Sequence, residues 1–276
     1  MQDASPSRTA LSAAMYRAAH QTLDGGRVFH DDFALPIIGA EARARLQEWA
    51  EKHGPGMRFF IAARSRFADE KLAFAVAAGT RQVVIVGAGL DTTALRNADK
   101  DLKVFEVDHP ATQAWKRERL AREGLITPVN LTFAPVDFER ESLGQGLARA
   151  GFDASQPAFF IWLGVVPYLT EAAIFATLGF IASVPRAEVV FDYANPPQKL
   201  AGEMRAWYEK RAANAAAIGE PWISFFDTEV LDTRLKDMGA VLIEDLGAPA
   251  IRAWLGIVPE RPAPRSGGHI VHVRWS

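Results

Sequence analysis

The chain has 276 residues, with 31 basic and 33 acidic side chains and a formal net charge of −2. Hydrophobic residues make up 49% and charged residues 23%, the balance of an ordinary soluble domain, which excludes disordered and fibrous classes. The near-even charge argues against a nucleic-acid partner, and the absence of cysteine excludes disulfide frameworks, thiolate metal sites, iron–sulfur clusters and cysteine nucleophiles.

No apolar block of signal-peptide length occurs in the first thirty residues, and the most apolar run, 159–169, is too short to span a bilayer. The expectation is a cytoplasmic protein with no membrane partner. The spacing of Leu11, Ala14, Met15 and Ala18 predicts a helix over 10–23, ended by Asp24-Gly25-Gly26. A second helix is expected over 40–53, stopped by Gly54-Pro55, and a third over 57–78. Then the period changes. Residues 82–86 form a continuous β-branched run, as in a strand buried on both faces of a parallel sheet. Strands over 102–107, 130–136, 158–165 and 188–193 follow, separated by helices over 111–123, 142–150 and 171–183. Such alternation implies right-handed βαβ units.

After that the rhythm breaks. A polar helical stretch over 198–218 leads to an aromatic segment, Asp227 reads as the N-cap of a helix over 228–238, and strands are expected over 241–245 and 270–275. The linker 249–268 is rich in proline and glycine, so the last two strands suit an antiparallel closing ribbon. The expected fold is α/β: a Rossmann-like, doubly wound, mostly parallel sheet of seven strands with an antiparallel C-terminal strand. One domain over 1–276 is expected, with a helical cap (1–80), a cofactor core (81–195), a helical insertion (196–226) and a closing helix and strand pair (227–276).

Strand one ends in Gly87-Ala88-Gly89, a turn that lets backbone amides approach a ligand. Asp108 closes strand two, 21 residues after Gly87, where a carboxylate accepts hydrogen bonds from ribose; its plainer use is as a helix N-cap. Asp137 closes strand three beside Phe138, a polar group and a ring suited to an adenine edge and face. All three lie at the carboxyl edge, where open α/β sheets bind ligands.

Gly87-Ala88-Gly89-Leu90-Asp91-Thr92-Thr93-Ala94-Leu95-Arg96, with Phe105-Glu106-Val107-Asp108-His109-Pro110, resembles the bacterial branch of the leucine carboxyl methyltransferase family. Further matches are Arg64-Ser65-Arg66-Phe67-Ala68-Asp69, His30-Asp31-Asp32-Phe33-Ala34 and Trp162-Leu163-Gly164-Val165-Val166-Pro167-Tyr168-Leu169-Thr170, so the likeness spans 8 to about 195. The resemblance implies a class I methyltransferase that uses S-adenosyl-L-methionine and releases S-adenosyl-L-homocysteine. It implies that Arg64, with Arg17 as a second ligand, meets the methionine carboxylate. Gly87, Ala88 and Gly89 would line the methionine moiety, Asp108 the ribose, and Asp137 with Phe138 the adenine. The family often carries glutamate where this chain has Leu163, whose backbone carbonyl is the expected substitute.

Methyl transfer is an in-line displacement that depends on alignment and needs no covalent intermediate. A carboxylate acceptor arrives ionised, whereas a hydroxyl acceptor wants a base, for which His109 is the first candidate. Tyr168 and Tyr193, after strands four and five, are candidates to border a small-molecule acceptor. Tyr16 and His20 lie on the first helix, a candidate lid. Trp207, Tyr208, Trp222, Phe225, Phe226 and Trp254 are candidates to wall an acceptor pocket, or simply pack the insertion. His269 and His272 face opposite sides of a strand and cannot chelate together, so no metal is expected. Two other readings stay open, a nicotinamide-dependent oxidoreductase and a non-catalytic nucleoside-binding protein. Against the oxidoreductase stand Thr92 in place of a third glycine and the lack of Tyr-x-x-x-Lys.

Overall fold

Four helices come before any strand. They are α1 (Arg8–Leu23), α2 (Ala34–Ala44), α3 (Leu46–His53) and α4 (Pro55–Ala77). The computed structural model describes residues 7–138, 140–200, 202–217, 219, 221–258 and 267–276. The chain divides into two compact units, Met1–Ala154 and Ser155–Ser276.

In the first unit, Ser7 Oγ accepts the Ala10 amide at 3.2 Å and starts α1. Gly25 and Gly26, both at φ +64°, turn the chain out of it. His20 ties that turn down: Nδ1 hydrogen-bonds Asp24 at 2.9 Å, and Nε2 accepts the amides of Val28 and Phe29. The expected helix over 40–53 is two helices beginning six residues earlier. Gly39, at φ +78°, kinks α2 because the Arg119 guanidinium fills the space a side chain would need; a Cβ there would lie 1.5 Å from Arg119 Nη1. Residues of α1, α2 and α3 bury their apolar faces together with Leu90 and Leu120.

Strand β1 (Gln82–Val86) is buried along its whole length. It pairs in parallel with β2 (Lys103–Asp108), which pairs in parallel with β3 (Leu131–Pro135). The crossovers are the short α5 (Thr93–Arg96) and α6 (Pro110–Arg122), and α7 (Leu143–Arg149) closes the unit.

The second unit begins with β4 (Phe159–Trp162), fully buried, parallel to β5 (Glu188–Ala194), with α8 (Glu171–Ala182) between them. The expected strand over 158–165 stops at Trp162 because Gly164, at φ +73°, turns the chain and donates its amide to Asp192 Oδ1 at 2.5 Å. Helix α9 (Gly202–Ala217) follows; Ile218, the end expected for it, lies outside the described residues. Asp227 caps α10 (Thr228–Asp237), accepting the amides of Glu229 and Val230. Strands β6 (Leu242–Leu246) and β7 (Gly268–Arg274) form the expected ribbon, with β7 antiparallel to both β6 and β5. The linker holds a helix that its composition hid, α11 (Ala248–Trp254). Proline in a first turn sacrifices no hydrogen bond, so Pro249 fits the start of this helix. Residues 259–266 of the linker lie outside the described residues. The strand order is β3-β2-β1-β4-β5-β7-β6, an α/β, Rossmann-like sheet of seven strands.

Candidate cofactor site

In the first unit the turn after β1 is held by its own backbone and by one carboxylate. The Ala88 amide donates to the Val107 carbonyl at 3.0 Å, and the Asp91 amide closes the turn on the Ala88 carbonyl at 2.7 Å. Gly87 and Gly89 sit at φ +66° and +47°, the left-handed region that a side chain disfavours. The Gly89 amide donates to Asp108 Oδ2 at 2.6 Å, and the His109 amide donates to Asp108 Oδ1 at 2.7 Å. Burial pushes the Asp108 carboxyl up, a push opposed by those two amides, the Lys116 charge and the Thr112 hydroxyl. The N-cap of α6 is therefore His109, not Asp108: its Nδ1 accepts the Ala111 amide at 3.2 Å, because Pro110 fills the first helical position. Asp108 is fixed in direction by two amides and the Thr112 hydroxyl.

Helix α1 covers the turn. A Cβ at Gly89 would stand 2.9 Å from the Ala10 Cβ. Asp137 and Phe138 follow β3; the Asp137 carbonyl accepts the amides of Arg140 and Glu141, and the Phe138 ring is 47% exposed. Arg64, on α4, is buried at 8% exposure. The first unit thus brings a glycine turn and an oriented carboxylate together. Beneath them lies a buried ion pair that sequence reasoning missed: Lys116 Nζ meets Glu106 Oε2 at 2.6 Å and donates to the Asp91 carbonyl at 2.7 Å. Burial pushes the Glu106 carboxyl up to about 7 against the pull of Lys116. The i, i+10 separation of the two residues gave no pattern to notice, since no single element spans it.

Tyr16 and His20 are buried packing residues, with the Tyr16 ring on Trp49 at 4.6 Å.

The second unit holds the remaining candidates. Leu163 and Tyr168 flank the turn after β4, Tyr168 in a one-turn 3₁₀ helix (Val166–Tyr168), both half-buried. The Trp162 indole nitrogen is buried without a hydrogen-bond partner. Tyr193 is different: its hydroxyl hydrogen-bonds Asp245 Oδ2 at 2.7 Å and Thr228 Oγ1 at 2.9 Å, and its ring stacks on His269 at 4.8 Å. Burial, followed by the Asp245 charge, pushes its phenol upward. His269 contacts Asp245 Oδ1 at 2.5 Å and Asn195 Oδ1 at 2.8 Å, whereas His272 pairs with Glu188 at 2.7 Å. Among the described residues no three His, Cys, Asp or Glu side chains gather into a metal-holding group.

Of the aromatics expected to wall a pocket, Tyr208 touches Trp222 and Phe225 at 5.0 and 5.9 Å between ring centres. The side chain of Trp207 lies outside the described residues, and Trp254 sits on α11. Phe225 and Phe226, with Thr170, Glu171, Ile223 and Ser224, line a cavity of about 270 Å³. The amides of Ile223 and Ser224 fix its wall to the Pro167 carbonyl. No helix among the described residues is long and apolar enough to cross a membrane.

Residues 10–182 match the family model described as leucine carboxyl methyltransferase. The chain is 32% identical over 273 residues to YktD of Bacillus subtilis, covering 87% of this chain and 88% of that protein, whose name proposes an S-adenosyl-L-methionine-dependent methyltransferase. It is 35% identical to a similarly named protein of Saccharopolyspora erythraea over 62% of this chain and 61% of that one. Among solved structures, a protein from Thermobifida fusca described as a methyltransferase superposes with a TM-score of 0.60 at 17% identity, over 100% of this chain and 97% of that one. A DUF574 family protein from Streptomyces avermitilis gives 0.59 at 17%, over 96% and 97%. These two likenesses speak for the fold, and the match over 10–182 speaks for more: the chain belongs to the leucine carboxyl methyltransferase family of S-adenosyl-L-methionine-dependent methyltransferases.

Proposed function

We propose that this enzyme methylates a carboxylate oxygen of a small-molecule acceptor. The observation that carries the choice of acceptor is that His109, the base candidate, and the Tyr193 hydroxyl are both already committed. His109 spends its Nδ1 lone pair on capping α6, so the neutral ring carries its proton on Nε2 and is a donor there. The Tyr193 hydroxyl is given to Asp245 and Thr228. A hydroxyl acceptor would need a base within hydrogen-bond reach; an ionised carboxylate needs none.

The residues present fit the cofactor. The glycine cradle at Gly87–Ala88–Gly89 excludes side chains, and Asp108 stands beside it as an acceptor already aimed by two amides. When bound, S-adenosyl-L-methionine supplies a methyl carbon activated by a positively charged sulfur. Asp108 takes the ribose hydroxyls, Asp137 and the exposed Phe138 ring the adenine, and Arg64 the methionine carboxylate. The backbone around Leu163 takes the place of the family's glutamate. His109 donates at the site's rim, Tyr168 borders the acceptor, and Tyr193 holds that border in place. The pocket lined by Phe225 and Phe226 is the candidate seat for the acceptor. We place the protein in the cytoplasm, in keeping with a chain that carries no cysteine.

The test is a methyl-transfer screen against aromatic and aliphatic carboxylic acids and against phenols, with the product's stability in alkali as readout. A base-labile methyl ester is the expected product. An alkali-stable methyl ether would overturn the carboxylate reading and return His109 to consideration as a base.

A further inference from the structure

Arg17, on α1, is only 8% exposed. Its Nη2 donates to the Leu90 carbonyl, inside the glycine turn, at 2.5 Å. Its Nε lies 3.5 Å from Asp31 Oδ2 and is buried with no hydrogen-bond partner. Asp31, whose side chain is fully buried, is itself committed elsewhere: Oδ2 accepts the Thr92 hydroxyl at 2.7 Å and Oδ1 the Phe33 amide at 3.0 Å. Arg96 approaches the same carboxylate at 3.8 Å while gripping Asp69 with both Nη atoms. On the turn itself, burial pushes the Asp91 carboxyl up, but the charges of Arg17, Lys116 and Arg96 outweigh it and hold the group below its ordinary value.

Arg17 therefore has its Nη2 committed to the turn and its guanidinium facing the Asp31 carboxylate. Thr92 fits the same scheme. It occupies the place of a third glycine and uses its hydroxyl to reach Asp31, so Arg17 and Thr92 bind two consecutive parts of the turn to one buried anion.

We propose that Arg17 is a positioning residue: by gripping the Leu90 carbonyl against Asp31 it holds the glycine turn in its ligand-binding shape, and it does not itself take the cofactor's carboxylate. This rests on the cofactor site proposed above. It separates the two arginines that the family resemblance grouped together, leaving the methionine carboxylate to Arg64.

Two ligands distinguish the roles by calorimetry, S-adenosyl-L-homocysteine and 5′-methylthioadenosine, which keeps the nucleoside and lacks the amino-acid end. Arg17→Met is expected to weaken both by about tenfold, a change of roughly 1.4 kcal/mol, with the ratio of the two affinities unchanged. Asp31→Asn should shift both in the same direction by less, and it remains readable where the arginine variant does not fold. A loss confined to S-adenosyl-L-homocysteine overturns the proposal and makes Arg17 a carboxylate ligand. A lowered melting temperature with both affinities intact also overturns it and leaves Arg17 a packing residue. Wild-type protein that binds neither ligand overturns the cofactor site itself, and this inference with it.

Discussion

In residues 7–154 the carboxylate that ends β2 is turned on the backbone of one loop; in residues 155–276 a group of polar side chains from β5, β6 and β7 is turned on itself. Asp108 accepts two amides and the Thr112 hydroxyl, three of the roughly four acceptor positions of a carboxylate. Tyr193, Asp245, His269 and Asn195 instead form a network in which each member's partner is another side chain, and Asn195 passes it on to the Phe226 carbonyl at 3.2 Å. The first arrangement leaves capacity for a ligand. The second consumes its capacity to lock three strands and the start of α10 together. A buried polar group at a strand's carboxyl end is therefore not evidence of a ligand until its acceptors and donors have been counted.

Removing a member of each network separates the two uses, and the largest expected effect is structural. Asp245→Ala removes one of the two partners of both the Tyr193 hydroxyl and the His269 ring and should cost about 3 kcal/mol of stability, as breaking a buried hydrogen-bonded network does. Chemical denaturation reads it. S-adenosyl-L-homocysteine affinity should stay within about twofold, a few tenths of a kcal/mol; a large loss of affinity would erase the distinction between the regions. Next in size is Asp108→Ala, which should weaken S-adenosyl-L-homocysteine by about 2 kcal/mol, the worth of hydrogen bonds to a charged group. Unchanged affinity in the folded variant would mean that another carboxylate serves the ribose.

A third experiment uses pH. The Glu106 carboxyl is raised from 4.5 to about 7 by burial, so between those values the native state holds a proton that the unfolded chain has lost. Stability from this group is then complete below about pH 4.5 and declines as pH rises toward 7, by at most about 1.4 kcal/mol per pH unit. Glu106→Gln should flatten that part of the stability-against-pH curve. A curve of unchanged slope would show that Lys116 keeps the pair ionised throughout.

Much of the fold was legible because it rests on periodicity. The β-branched run of β1 and the capping by Asp227 can be read from neighbours in the sequence. What escaped depends on atoms far apart along the chain. The kink in α2 needs Arg119, eighty residues away, and α11 reverses the usual sense of a proline. At the site, the glycine turn and Asp108 were legible because they sit at strand ends. The Arg17–Asp31–Thr92 clasp and the Glu106–Lys116 pair were not, since each joins elements whose proximity only the folded chain creates. The partners of Tyr193 were equally hidden: they arrive from 35 and 52 residues downstream.

The smallest expected effect probes the seam between cap and turn. Gly89 is at φ +47°, where alanine costs roughly 1 kcal/mol. The new methyl would also stand 2.9 Å from the Ala10 Cβ, closer than such carbons approach, so α1 must move outward. Both consequences act on the same amide, the one that aims Asp108. Gly89→Ala should therefore weaken S-adenosyl-L-homocysteine about fivefold, near 1 kcal/mol, and speed hydrogen exchange in the first turns of α1. The second unit's network should remain as protected as before. If affinity falls while exchange in α1 is unaltered, the helix does not rest on the turn, and the strain at Gly89 alone carries the effect.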